Sequence, residues 1–245
     1  MRIAFDLDGV LADLHGPFVK TALRLFPEID PNAVSSPEVA ASPPEEDDDA
    51  GVPVAEGTPD RLVTDLALTP RQSDAVWRSL AATEDFWATL SELEPGIIAR
   101  LAAVAEEHRW EVLFITSRPR VAGRTIQRQT QYWLEQRGFH LPSVYVVHGS
   151  RGRIAEALQL DIVVDDRPEN CLDVVLESSA GAMLVWRGQR ETVPASARRF
   201  GIAVVPTVAA CLDALLKIEQ PGESGGLLQR LRKLFGLQTT RTAAG

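Results

Sequence analysis

Between residues 97 and 216, short apolar runs alternate with helix-patterned segments. The strand-like runs fall at 111–115, 143–147, 162–164, 182–186 and 202–205. The helix-like periods fall at 97–108, 124–137, 154–160, 169–178 and 208–216. One further apolar run, 2–5, opens the chain. Strands that alternate with helices are joined by crossovers, which lay the strands parallel and cover both faces with helices. Right-handed crossovers are expected. The expected fold class is therefore α/β, a Rossmann-like parallel sheet flanked by helices.

The 245 residues allow one ordinary domain with a large insertion, or two small domains. The interval after the first strand is patterned for helix. Leu11, Leu14, Phe18, Ala22, Leu25 and Phe26 share a helical period that Gly16 and Pro17 interrupt. Helical patterning resumes over about 59–82 with a break near Thr69 and Pro70. Between these two stretches, residues 36–60 hold five prolines, eight acids and no base, which predicts a disordered or loosely ordered loop.

That loop dominates the charge. The whole chain stands at −9, and the remainder without the loop is near −1, which argues against nucleic-acid binding by charge. Cys171 and Cys211 are the only cysteines, forty positions apart. With no CxxC they argue against a disulfide framework or a zinc knuckle and fit a reducing cytoplasm. The chain enters a strand at once, so no signal peptide is expected, and no apolar run is long enough to span a membrane.

In a parallel α/β sheet, ligands gather at the carboxyl ends of the strands. The first strand is followed by Asp6 and Asp8, the second by Thr116, Ser117 and Arg118. The third is followed by His148, Ser150 and Arg151, the fourth by Asp165 and Asp166. Each feature alone has a structural reading: acids end strands as turn formers, and Thr116 is a plausible helix cap. Together they bring two acidic pairs, a hydroxyl cluster and a base to one edge. Paired acids repel unless a cation lies between them, and an oxygen-only donor set suits Mg2+. The hydroxyls and the arginine suit a phosphoryl group.

The motifs FDLDGVLAD, FITSRP and DIVVDDRPEN, with a basic residue opening a helix between the last two, resemble those of the haloacid dehalogenase-like hydrolase superfamily. DGVLAD, FWATLSELEPG and DDRPE further resemble its 5'-nucleotidase branch, the deoxyribonucleotidases in particular. The resemblance implies a catalytic core over 1–15 and 92–218. It also implies a mainly helical cap over 16–91 that contains the acidic loop, and it leaves 219–245 as a linker and an amphipathic tail. It implies a Mg2+-dependent phosphoric monoester hydrolase, a cytoplasmic phosphatase working through an aspartyl-phosphate. Asp6 would be the nucleophile and Asp8 the general acid and base. Thr116 and Ser117 would hold phosphoryl oxygens. Asp6, Asp166 and the Asp8 carbonyl would ligate the metal, with Asp165 acting directly or through another group. The superfamily's usual lysine is absent, since none occurs between Lys20 and Lys217. Its role falls to Arg151 or Arg153, with Arg151 preferred because it follows the turn directly.

Several residues carry two readings. Phe86 and Trp87 either stack on a substrate ring or form cap core. His148 either contacts substrate or caps a loop. Arg118, in a basic loop with Arg120 and Arg124, either binds a second anionic group or is solvated. In the tail, Leu227, Leu228, Leu231, Leu234, Phe235 and Leu237 make an apolar stripe. It either docks on its own domain or engages a partner or membrane surface. The expected substrate is a small phosphorylated metabolite, a nucleoside monophosphate first and a sugar phosphate second. No nucleic-acid polymer is expected as a partner. A phospho-ligand-binding module without turnover is the alternative that the missing lysine raises.

Overall fold

A computed structural model describes residues 1–29, 66, 68–219 and 226–237. In chain order the elements are β1 (Arg2–Asp6), β2 (Ala12–Asp13), α1 (His15–Leu25), α2 (Pro70–Ala81), β3 (Ser91–Glu92), α3 (Ile97–Glu107), β4 (Glu111–Thr116), α4 (Ile126–Glu135) and β5 (Ser143–Val146). They continue with α5 (Arg151–Ala157), β6 (Ile162–Asp165), α6 (Pro168–Glu177), β7 (Gly181–Val185), α7 (Ala195–Arg199), β8 (Ala203–Val205), α8 (Val208–Glu219) and α9 (Leu227–Phe235). Single 3-10 turns lie at Phe86–Ala88 and Arg190–Thr192. The predicted acidic loop lies outside the described residues.

Six strands form one parallel sheet in the order β5-β4-β1-β6-β7-β8. The chain builds outward from β1 in both directions, so the switch of strand order lies at the end of β1, between β4 and β6. The pleat of each strand separates two cores. Ile3, Phe5, Val112, Phe114, Ile162, Val164, Met183 and Val185 face one side, where they pack with Ile98 and Leu101 of α3, Trp133 of α4 and Leu215 of α8. Ala4, Leu113, Ile115, Val163, Ala182 and Leu184 face the other, against Ala155 of α5, Cys171 and Val174 of α6 and Ala197 of α7. Both cysteines are buried and free.

Two boundaries differ from the sequence expectation. The period that begins at Leu11 does not make one helix. Ala12 and Asp13 instead pair with Glu92 and Ser91 in a two-stranded antiparallel ribbon, and α1 starts only at His15. Pro17 sits in the first turn of α1, where a missing N–H costs nothing, and Asp13 Oδ1 accepts from Gly16 N at 2.9 Å. The ribbon makes the chain leave and return at adjacent points. Beyond it, α1 packs on α2 through Phe18 and Trp77, whose rings lie 5.3 Å apart. Thr69 and Gln72 form a capping box that starts α2 at Pro70. The second difference is α5, which begins at Arg151 rather than near residue 154.

A polar strap ties this region together. Arg187, past the end of β7, donates to the carbonyl of Gly9, to Val10 O at 2.9 Å and to Glu94 Oε1 at 2.7 Å. Glu94 also accepts from Val208 N and Ala209 N, at 2.7 and 2.9 Å, capping α8. Arg187 and Glu94 together therefore join the loop after β1, the returning chain and the start of α8.

The tail helix α9 docks on its own domain, against α8 and β8. Leu231 is 2% exposed, and Arg230 Nη1 donates to Ile218 O at 3.0 Å. Gly181, at the start of β7, leaves room for the helix: a Cβ there would stand 2.7 Å from Leu228 Cδ2. Among the described residues no helix is long and apolar enough to cross a membrane. Leu231→Ala should destabilise the fold by about 2–3 kcal/mol, read as a lower urea midpoint. An unchanged midpoint would show that α9 adds nothing to the core.

Candidate active site

β1 ends in Asp6, which pairs in register with Ile115 of β4 and stands next to β6 at the switch point. Gly9 turns the chain with φ +82°, a conformation that favours glycine. The turn also brings the backbone against the fourth strand end. A Cβ on Gly9 would fall 2.1 Å from Asp166 Oδ2. Thr116 ends β4 and is 1% exposed. Ser117 follows it, half-buried.

Arg151 enters from the third strand end as the first residue of α5. Ser150 caps that helix, its Oγ accepting from Gly152 N at 3.1 Å and from Arg153 N at 3.3 Å. The Arg151 side chain is 5% exposed, and its Nη2 donates to Asp6 Oδ1 at 3.1 Å. Its Nε lies 3.8 Å from Asp165 Oδ2, too far for a hydrogen bond, and is left unpartnered in the interior. Arg153 turns outward, 83% exposed, toward Glu177. Of the two arginines, Arg151 is the one that contacts Asp6. α5 and α6 approach so closely at Gly152 that a Cβ there would lie 2.2 Å from Asp173 O.

Asp165 is 1% exposed and serves the loop that follows it. Its Oδ1 accepts from Arg167 N at 2.8 Å, and Asn170 Nδ2 donates to both of its oxygens, at 3.1 and 2.9 Å. The sequence reading did not single out Asn170, although an asparagine in the first turn of the helix after paired acids is the signal that points to it. Neither Thr130 nor Gln129 was singled out, both 0% exposed in α4.

Burial first, and then the Asp165 carboxylate, push the Asp6 carboxyl well above the usual carboxylate range. Arg151 pulls it back, while Asp166 and Asp8 push it up again. Burial also raises Asp165, opposed by Arg151, the Arg167 N–H and Asn170. Asp6 and the three acids that bear on it make an oxygen-only donor set, the chemistry that suits a hard divalent cation. Among the described residues no three acidic, His or Cys side chains are gathered as a ready metal cage. Asp6 and Asp8 are instead drawn onto arginines.

Two aromatic residues lie away from any opening. Phe86 and Trp87 are 4% and 0% exposed, edge to face at 5.0 Å, so they take the core reading and offer no open stacking surface. Arg118 also differs from both of its sequence readings. It is neither solvated nor open to a second anion, because its 1% exposed side chain is engaged by Asp8. His148 is exposed at the rim, beyond β5.

Two variants test this geometry. Gly152→Ala should destabilise the fold by about 1–3 kcal/mol, because the methyl meets α6 backbone; the urea midpoint reads it. Asp6→Asn should do the opposite. Burial and the neighbouring acids raise the titration of the folded Asp6, so stability falls as pH climbs from the unfolded carboxylate range through the folded value. In chelator at neutral pH, Asp6→Asn should therefore melt above the wild type, and the gap should close in acid. A lower midpoint at neutral pH would contradict the electrostatics.

No family model and no curated protein matches the chain. The solved structures similar to it include several hydrolases of the haloacid dehalogenase-like type. One is a haloacid dehalogenase-like (HAD) family hydrolase from Deinococcus radiodurans R1, solved with bound phosphate and sodium. It is 15% identical, with 88% of this chain and 94% of that one covered and a TM-score of 0.52. Another is a haloacid dehalogenase-like family hydrolase from Xanthomonas campestris, 14% identical over 95% and 98% of the two chains, with a TM-score of 0.50. Likeness at this level speaks for architecture alone: the six-stranded parallel sheet with helices on both faces is a Rossmann-like core, the fold these hydrolases share.

Proposed function

We propose that the chain is a Mg2+-dependent phosphatase that hydrolyses a small phosphomonoester through a phosphoryl group carried on Asp6. The observation that supports this reading is the meeting, at the sheet's switch point, of the buried Asp6 carboxylate with Arg151 at 3.1 Å, amid three more carboxylates. A hydrolase of the same architecture that holds phosphate and sodium fits the same reading.

In this scheme an Asp6 oxygen attacks phosphorus and the ester oxygen leaves, taking a proton from Asp8. Asp8 then removes a proton from water, which attacks the phosphoryl-aspartate and frees phosphate and Asp6. Thr116 and Ser117 hold phosphoryl oxygens, and Arg151 balances their charge with a guanidinium that stays protonated. Asp6, Asp166, Asp165 and the Asp8 carbonyl would hold Mg2+. When bound, the ion supplies positive charge that offsets both the carboxylates and the phosphoryl group. A nucleoside monophosphate is the favoured substrate, on the DGVLAD, FWATLSELEPG and DDRPE motifs; a sugar phosphate is the next choice. The second reading, a module that binds a phosphorylated ligand without turnover, draws on Arg151 in place of lysine.

Wild-type protein with Mg2+ should turn over p-nitrophenyl phosphate. Asp6→Asn should lose at least about a thousandfold in kcat, and chelator should abolish wild-type turnover until Mg2+ is restored. Mg2+ should also raise the melting midpoint of the wild type more than that of Asp6→Asn. Equal turnover by the variant would reject the nucleophile. Tight phospho-ligand binding without phosphate release would favour the second reading. A panel of nucleoside monophosphates and sugar phosphates then assigns the substrate.

A further inference from the structure

The Arg118 side chain is almost wholly enclosed, and each of its contacts is accounted for. Nε donates to Asp8 Oδ2 at 2.8 Å and Nη2 to Asp8 Oδ1 at 2.7 Å, a two-pronged pairing of guanidinium and carboxylate. Nη1 donates to Thr130 Oγ1 at 3.0 Å. The guanidinium carbon stands 4.7 Å from the centre of the Trp87 ring. The platform is itself fixed. Trp87 Nε1 donates to Pro119 O at 3.0 Å, and Trp87 N donates to Gln129 Oε1 at 3.0 Å. Of this chain of contacts, only the Asp8 carboxylate, 19% exposed, reaches toward the crevice.

We infer that Arg118 is a positioning residue that fixes the Asp8 carboxylate for its proton transfers, with Trp87 as the platform through which the segment before β3 supports the chemistry. The inference rests on the phosphatase reading for the role of Asp8. A two-pronged pairing fixes both rotatable bonds of the aspartate, which a single hydrogen bond does not. To bind a substrate anion instead, Arg118 would have to release two charge-assisted bonds and leave Asp8 half-buried without a partner, a strongly unfavourable exchange. The planar fork also explains why an arginine stands here, since a lysine is a point charge that engages one oxygen at a time.

Leaving-group dependence separates this role from a merely structural one. p-Nitrophenolate departs without a proton, whereas an alkoxide needs one. In Arg118→Met, kcat/KM for a primary alkyl phosphate should fall about 10- to 100-fold more than for p-nitrophenyl phosphate. Asp8→Asn should show the same selectivity, and the double variant little more than Asp8→Asn alone. Arg118→Lys should recover part of the loss. Trp87→Phe leaves the ion pair intact and guards against misfolding of the Met variant; it should shift the ratio the same way by about threefold to tenfold. Equal losses on both substrates in folded Arg118→Met and Trp87→Phe, while Asp8→Asn stays selective, would overturn the positioning role and leave the phosphatase reading standing. A raised KM with unchanged kcat and unchanged selectivity would do the same, and would return Arg118 to substrate binding. Absence of selectivity in Asp8→Asn would remove the acid role and the inference with it.

Discussion

A carboxylate buried at the end of a central strand is the constraint that the surrounding structure answers. Asp6 is held where three other acids bear on it, and its ionised form is disfavoured by burial as well as by their charge. An isolated ion in that place would be expelled or protonated. Arg151 provides the compensating charge, and it does so from the interior, with one nitrogen unpartnered. The site thus stores electrostatic strain that a bound cation and a phosphoryl anion, in the proposed reaction, would relieve.

Much of the remaining architecture serves to keep the charged groups at their distances. Gly9 lets the first strand end close on Asp166, and Gly152 lets α5, which carries Arg151, close on α6. Asn170 and the Arg167 N–H hold Asp165 from the start of α6. The Arg187–Glu94 strap fixes the loop after β1 to α8 and to the strand by which the chain returns from the inserted segment.

The sheet was legible because strand and helix periods differ, and a chain that alternates them over 97–216 has few ways to bury both. The strand ends followed, and with them Asp6, Thr116, Arg151 and Asp165. Reading failed where a local period was overridden by pairing. Leu11 and Leu14 fit a helix, yet Ala12 and Asp13 lie opposite Glu92 and Ser91, some eighty residues on, and no window around Leu11 contains those partners. The apolar period begins only at Ile154, whereas α5 begins at Arg151, where the close approach of Gly152 to Asp173 O is invisible in one dimension.

Order and chemistry belong to the sequence alone: which residue types follow which strand, and that acids, hydroxyls and two arginines share an edge. Partnership belongs to the tertiary structure. The sequence offers Arg118 to solvent or substrate and Trp87 to a ligand ring, while the fold stacks one on the other and turns Arg118 onto Asp8. The reason is physical. Strand and helix signals depend on neighbours within a few residues, whereas the burial that selects a charged group's partner depends on groups about a hundred residues apart, brought together only when the sheet closes.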